Sequence, residues 1–572
     1  MKRSIVYLSV SGVISLFLFL YVIPLGVRPI ILPDESRYAE IPREMLATGD
    51  WVVPHLNGLR YFEKPVLGYW LTAASIGLFG KNSFAIRFPS ALAVGISGLI
   101  ICLLVWRAGR RRRAGIYSAV IYLTFLEVFG IGTTNILDGV FSLFTTVTLA
   151  SLFAASSADQ SGRRKMWMAL GGVCLGLAFL SKGFLAFALP VVVIVPYLFW
   201  NKGAREFIGD CWIALACAIL VALPWGLTIH FREGDFWHYF FWTEHINRFM
   251  GNDPQHPEPI WFFLPVIIVG ALPGLALLPA ALSRLIRNRF RGSLTRFAVC
   301  WFLSSFLFYS ASRGKLITYI LPCFPPLAII ASLGILEYLK AGKSRLFNAG
   351  SVFLLTILIA AVAGLAVIEV FDTPVPAIFN GMEIWKLVIA VNGLLVWALF
   401  LLLAVKQNKP RRKIVLFCSA PVLLMFSSHF IFPEIGLDGK APEKFFLDNV
   451  SRITASTILV SDNYCISALG WYYDRSDIIL LESEGELEYG LQYPDARKRF
   501  INFRQFNEML AKTPKGESVI LVLDNDRYIE YQPFLPRPLF VKTGCGFTMA
   551  VFCCAGRSSC SPDPACPENG EI

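Results

Sequence analysis

The sequence predicts an all-α membrane protein of about 13 transmembrane helices followed by an extramembrane α/β domain. Three observations carry that reading. Hydrophobic residues make up 55% of the 572 and charged residues 16%, with a mean hydropathy of +0.58. A soluble domain carries about 25% charged residues. Apolar segments of spanning length alternate with Lys/Arg clusters, and beyond Phe432 the hydropathy falls and short β-like runs take over.

The chain opens with Met1-Lys2-Arg3 and an apolar run, Ile5 to Gly26. At about 22 residues this run can cross a bilayer, and no A-x-A site follows it, so it reads as a signal anchor rather than a removable leader. Further spans are expected at 84–106, 115–133, 138–156, 166–181, 184–200, 209–230, 260–282, 297–311, 317–338, 347–369, 384–405 and 414–431. Between them lie Arg107 with Arg110 to Arg113, Arg163-Arg164-Lys165, Lys202 with Arg205, Arg284 to Arg296, Lys340 to Arg345, and Lys406 to Lys413. Lys and Arg are enriched in cytoplasmic loops. The net charge of +12 is therefore read as a topology signal, and nucleic acid is excluded as a partner. The resulting membrane domain is 1–431 with Met1 inside. Its external segments are 27–83, 134–137, 181–183, 231–259, 312–316 and 370–383, followed by the tail 432–572.

The first external loop, 27–83, is the most charged part of this apolar chain. From Asp34 to Lys64 it carries Asp34, Glu35, Glu40, Glu44, Asp50 and Glu63 beside Arg37, Arg43, Arg60 and Lys64. Charges beside a bilayer hydrate, pair, or bind a charged substrate. Tyr38, Ile41, Met45 and Leu46 recur at helical spacing after Pro33. Asp34 is thus either the cap of that helix or, with Arg37, Tyr38 and Glu40, part of a set that positions an anion and accepts a proton. Trp51, Trp70 and neighbouring aromatics point to helices lying in the interface plane. Pro65 breaks the chain after Tyr61-Phe62-Glu63-Lys64, leaving Lys64 as a snorkelling group or a phosphate ligand.

The other external islands follow the same logic. Asp138, at the outer end of an apolar segment, is a helix cap or a catalytic carboxylate. Lys182 marks a short turn or faces a polar cavity. The segment 230–259 holds His230, His238, His245 and His256. With Glu63, His245 and His256 are either ordinary interfacial residues or a Zn²⁺ set. Arg248 contacts phosphate or pairs with Glu244 four residues earlier. Ser312-Arg313-Gly314-Lys315 with Tyr319 is a basic turn on the outer side, against the positive-inside bias, and suits a phosphate ligand. In the tail, strand-like runs at 457–460, 478–481, 519–523, 539–542 and 547–552 surround a helical stretch at 503–512. Cys465, Cys545, Cys553, Cys554, Cys560 and Cys566 all lie there, in a compartment that permits disulfides.

The stretch DESRYAEIPREMLATGDWVVPHLNGLRYFEKP, with TTNILDGVFSLF, FWHYFFWTEHINRF, DPQHPEPIWFF and GKLITYILPCFPPLA, resembles the aminoarabinose transferases of lipid A modification, protein-mannosyltransferase-like glycosyltransferases of GT-C fold. The resemblance covers most of 1–340. It implies transfer of 4-amino-4-deoxy-L-arabinose from undecaprenyl phosphate to lipid A phosphates, with inversion at the sugar carbon. This places the active site and tail in the periplasm of a bacterial inner membrane and brings polymyxin resistance. It implies Asp34 and Asp138 as the acidic residues of transfer, Arg37, Tyr61, Lys64 and Tyr319 around the lipid phosphate, and Glu63, His245 and His256 as a metal cluster. No nucleotide cofactor is expected, since neither a Walker loop nor GxGxxG occurs. The alternatives are a protein O-mannosyltransferase-like enzyme, in which Asp34 is a general base, and a transporter of a lipid-linked anion. A transporter places its charges mid-bilayer on paired repeats, and this chain places them at one face.

Overall fold

The computed structural model describes residues 2–109, 112–201, 205–247, 256–371, 376–514 and 517–552. Two units form. The first comprises Met1–Pro29, Ile41–Pro54 and Phe62–Gly436, the second Ile30–Glu40, His55–Tyr61 and Leu437–Ile572. The border expected near 431 falls at Gly436, and two pieces of the first external loop join the second unit.

In the first unit every expected span is occupied by helix. Among the described residues, seven helices are long and apolar enough to cross a membrane, or up to nine if two pairs bent by 67° and 87° each count as one span. The rest of the expected spans are helical but short or charged. Leu185–Asn201 has 17 residues, and Ser161–Lys182 opens on Arg163-Arg164-Lys165. This is a multi-pass membrane protein.

Three local arrangements hold the helices that matter below. Arg87, buried on Ser83–Gly109, donates to the carbonyls of Leu25, Arg28 and Pro29 at 2.7 to 3.1 Å. It thereby satisfies backbone acceptors where the first helix has ended. Gly172 and Gly176, one turn apart, press against Arg205–Arg232, where a Cβ at either would collide with the carbonyl of Ala214 or Ala218. Small residues at this spacing let membrane helices approach closely. That helix ends on Lys182, because Gly183 at φ 77° takes a conformation other residues resist.

The second unit carries a hairpin, β1 (His55–Leu56) and β2 (Leu59–Arg60), turned on Asn57-Gly58 with φ of 56° and 70°. Both central residues of such a turn need positive φ, which Asn-Gly supplies. Its sheet comprises β3 (Ile458–Ser461), β4 (Ile479–Leu481), β5 (Phe500–Ile501), β6 (Val519–Asp524), β7 (Phe540–Gly544) and β8 (Phe547–Phe552), in the order β5-β4-β3-β6-β8-β7. β5, β4, β3 and β6 run parallel, and β8 and β7 are antiparallel to their neighbours. Helices at Ile466–Tyr473, Phe503–Lys512 and Asn525–Tyr531 link or follow the parallel strands. β6 reads Val-Ile-Leu-Val-Leu because both its faces are covered. The N-terminal pieces are bonded in: the Asn57 amide donates to Ile478 O and accepts from Ile478 N at 2.7 and 3.0 Å, and Leu32 N donates to Lys440 O at 2.8 Å.

Candidate active site

In the first unit a cavity is lined by three ammonium groups, Lys64, Lys182 and Lys315, with Glu63, Glu244, His256, Tyr309 and Tyr319. Leu185, Phe263, Phe308 and Leu316 complete its apolar wall.

Asp138 is the first residue of the helix Asp138–Ser156, where the helix dipole favours a carboxylate. It does not cap that helix, whose N-cap is Leu137. Instead its Oδ1 accepts from Lys182 Nζ at 2.5 Å and its Oδ2 from Thr318 Oγ1 at 3.2 Å. Lys182 Nζ also lies 4.0 Å from the Tyr319 ring centroid, a cation–π distance. The carboxylate, itself held by the Thr318 hydroxyl, and the ring thus fix one ammonium at the cavity wall.

Lys64 stands 3.3 Å from Glu244 Oε2 and 3.7 Å from Glu63 Oε2, and donates to Glu63 O at 3.0 Å. Lys315 is 3% exposed; its Nζ donates to Glu258 O at 2.7 Å and its N–H to His256 O at 3.1 Å. The short pairing of Pro257 with Gly314 holds this turn. Burial lowers the Lys315 pKa from the ordinary lysine value.

Four other expected site residues, Asp34, Arg37, Tyr38 and Tyr61, belong to the second unit. Asp34 opens the helix Asp34–Thr48, and Arg37 in the next turn binds both Asp34 and Glu486. Tyr61 OH donates to the same Glu486 oxygen at 3.1 Å, and the Arg37 guanidinium lies 5.1 Å from the Tyr38 ring. Arg248 lies outside the described residues, as does the side chain of His245. Glu63 and His256 line the one cavity. Among the described residues no three His, Cys, Asp or Glu gather as a metal site.

Sequence reasoning passed over Glu486, Thr318 and Tyr309. It weighed Glu244 as a partner for Arg248 equally with a phosphate contact; Arg248 lies outside the described residues, and Glu244 pairs with Lys64. Lys182 was legible as a charged residue between apolar runs, but its partner, 44 residues away, was not.

A family model described as dolichyl-phosphate-mannose-protein mannosyltransferase matches residues 6–240. A second, described as the arabinosyl transferase ArnT C-terminal domain, matches 437–551. The undecaprenyl phosphate-alpha-4-amino-4-deoxy-L-arabinose arabinosyl transferase of Aeromonas hydrophila is 39% identical over 517 residues, covering 89% of this chain and 93% of the relative. The chain belongs to this arabinosyl transferase family. Its namesake in Erwinia tasmaniensis is 39% identical over 531 residues, covering 92% and 95%. As a member of the family the chain is a glycosyltransferase that uses a polyprenyl-phosphate-linked sugar donor. The crystal structures of ArnT from Cupriavidus metallidurans, bound to undecaprenyl phosphate and in the apo state, share its fold with TM-scores of 0.79 and 0.81 at 22% and 21% identity. Each match covers 96% of this chain and 98% of that one.

Proposed function

We propose that the chain transfers 4-amino-4-deoxy-L-arabinose from undecaprenyl phosphate to phosphate groups of lipid A at the periplasmic face of the inner membrane, so that polymyxin and other cationic peptides bind less well. The observation that carries this reading is the convergence of Lys64, Lys182 and Lys315 on one cavity with an apolar wall. A phosphate with a hydrocarbon tail satisfies both halves of that lining.

In this reading an oxygen of the acceptor phosphate attacks the anomeric carbon from the face opposite the donor oxygen. The sugar–oxygen bond breaks and its electron pair leaves with undecaprenyl phosphate. The acceptor is already largely ionised near neutral pH, so no strong base is required. The barrier lies in the charge on the departing phosphate, and preorganised ammonium groups stabilise that charge. Asp138 holds Lys182 in place at the cavity. Asp34, Arg37, Tyr38, Tyr61, Arg248 and Tyr319 belong to the proposal as substrate-handling residues, Asp34 orienting the acceptor or the sugar amine.

A Zn²⁺ ion on Glu63, His245 and His256 belongs to the same proposal. One carboxylate with two imidazoles is a zinc donor set, and bound there the ion would add positive charge for phosphate. Elemental analysis of the purified chain against a His256→Ala variant tests it.

The function is tested by mass spectrometry of lipid A from cells with and without the chain. The aminoarabinose increment appears with the chain and vanishes in Lys182→Ala and in Asp34→Asn at equal protein levels. Unchanged lipid A with altered glycoproteins would overturn the assignment.

A further inference from the structure

A phosphate accounts for the three ammonium groups of the cavity but not for the carboxylates beside them. Among the described lining residues Glu63 and Glu244 face inward with Lys64, Lys182 and Lys315. Glu63 has a place in the zinc set; Glu244 has none. The lysines are also paired in two different ways. Asp138, the partner of Lys182, is not in the lining, so it holds that ammonium from outside the cavity. Glu244, on the helical turn Tyr239–Asn247, is in the lining and meets Lys64 at 3.3 Å, its side chain only 4% exposed.

A counter-ion inside the cavity competes with any anion that enters. With Asp138 included, three carboxylates already balance three ammonium groups. Two anions sharing one ammonium stand within about 6 Å of each other, and each weakens the other's hold. The two lipid phosphates of the reaction differ in charge. The sugar-bearing donor is a phosphodiester with about one negative charge. The carrier left behind is a phosphomonoester with roughly 1.5 to 2 near neutral pH. Lysines that stabilise the departing phosphate therefore hold the spent carrier more firmly than the donor, and release of product limits many enzymes. Repulsion from a fixed carboxylate grows with the ligand's charge, so it falls more heavily on the spent carrier.

We propose that Glu244 serves release: it holds Lys64 in the empty cavity, yields it to the donor and reclaims it from the spent carrier. This rests on the transfer reading, because it takes the ligand to be a polyprenyl phosphate. It also carries a sign. Were Glu244 only a strut for Lys64, its loss would loosen the lysine and weaken phosphate binding; as a competitor, its loss strengthens binding.

The test is titration of radiolabelled undecaprenyl phosphate onto the purified full chain in detergent, with undecaprenol as the uncharged probe. The parent is compared with Glu244→Gln and Glu244→Ala, and either variant suffices if the other does not fold. Both leave Glu63 at 3.7 Å from Lys64, so the ammonium keeps a carboxylate. Each variant binds undecaprenyl phosphate at least roughly tenfold more tightly and releases it correspondingly more slowly, with undecaprenol unaffected. Unchanged or weaker phosphate binding, beside a parent that binds, would overturn the proposal and leave the transfer reading standing. So would tightening that undecaprenol shares, or tightening gained only in the rate of association. A parent that binds undecaprenyl phosphate no better than undecaprenol would sink both.

Discussion

Two lysines of the membrane unit, Lys413 buried and Lys182 half-buried, show how differently one side chain can be used. At the end of the helix Ile384–Lys406, Lys413 donates to the carbonyls of Ala404, Val405 and Gln407 at 2.9, 2.9 and 3.0 Å. An ammonium has three donors, and all three go to helix-end acceptors that the helix itself cannot satisfy. At the cavity wall, Lys182 meets a carboxylate and an aromatic face. The first lysine closes a helix. The second is held in place by groups that leave its charge directed at a cavity shared with Lys64 and Lys315. Burial therefore does not by itself mark function; the partners do.

The comparison breaks most visibly at Lys182. Lys182→Ala is expected to lower the transfer rate by about 10² to 10³-fold, the scale of losing one preorganised charge at a developing anion. The rate is compared per folded molecule, because Asp138 also loses its ammonium partner. Rates within a few-fold of the parent would make Lys182 another structural lysine. Next comes Lys64→Ala, which removes a charge-assisted contact of about 1.5–3 kcal/mol. Undecaprenyl phosphate binding, followed by titration, should weaken by at least roughly tenfold. Lys413→Ala is the converse case. Three carbonyls lose their donor, stability falls by about 1–3 kcal/mol, and the rate per folded molecule stays unchanged in a transfer assay run well below the melt.

The smallest effect is one of pH. Burial lowers the Lys315 pKa, so the unfolded chain holds this proton more tightly than the folded one. Stability from this group then rises with pH between the folded value and the ordinary lysine value near 10.4. Phosphate binding runs the other way: the ammonium is present below the folded value and lost as pH rises through it. The alkaline limb of the transfer rate should lie below the ordinary lysine range, and Lys315→Arg should move it upward. A limb unmoved by Lys315→Arg would remove this residue from the cavity's charge.

Much of this was legible in the sequence, for reasons that differ by element. Apolar length and Lys/Arg bias placed helices at every expected span, since a chain in lipid must satisfy its backbone internally. In the tail, alternation and β-branched runs located five of the strands. β5, at Phe500–Ile501, has two residues and no period to detect. The hairpin His55–Arg60 carries the Asn57-Gly58 turn signal, but its two-residue strands leave no alternating run on either side to mark it. Within the site, Lys64, Asp138, Lys182 and Lys315 stood out as charges in an apolar chain. What joins them did not, because Thr318 is 180 residues from Asp138 and Glu244 is 180 from Lys64. Glu486 is one of four alternating glutamates, Glu482 to Glu488, so it did not stand out in a polar tail.

The loop pieces Ile30–Glu40 and His55–Tyr61 lie far from Leu437 in the chain yet share its unit. Cloning from residue 437 onward would deliver a sheet stripped of the amide that clasps Ile478 and of the serine that meets Ser467 at 2.8 Å. Such a fragment would expose surfaces that in the whole chain are covered. Anyone wishing to study the tail by itself should graft both short stretches back onto it.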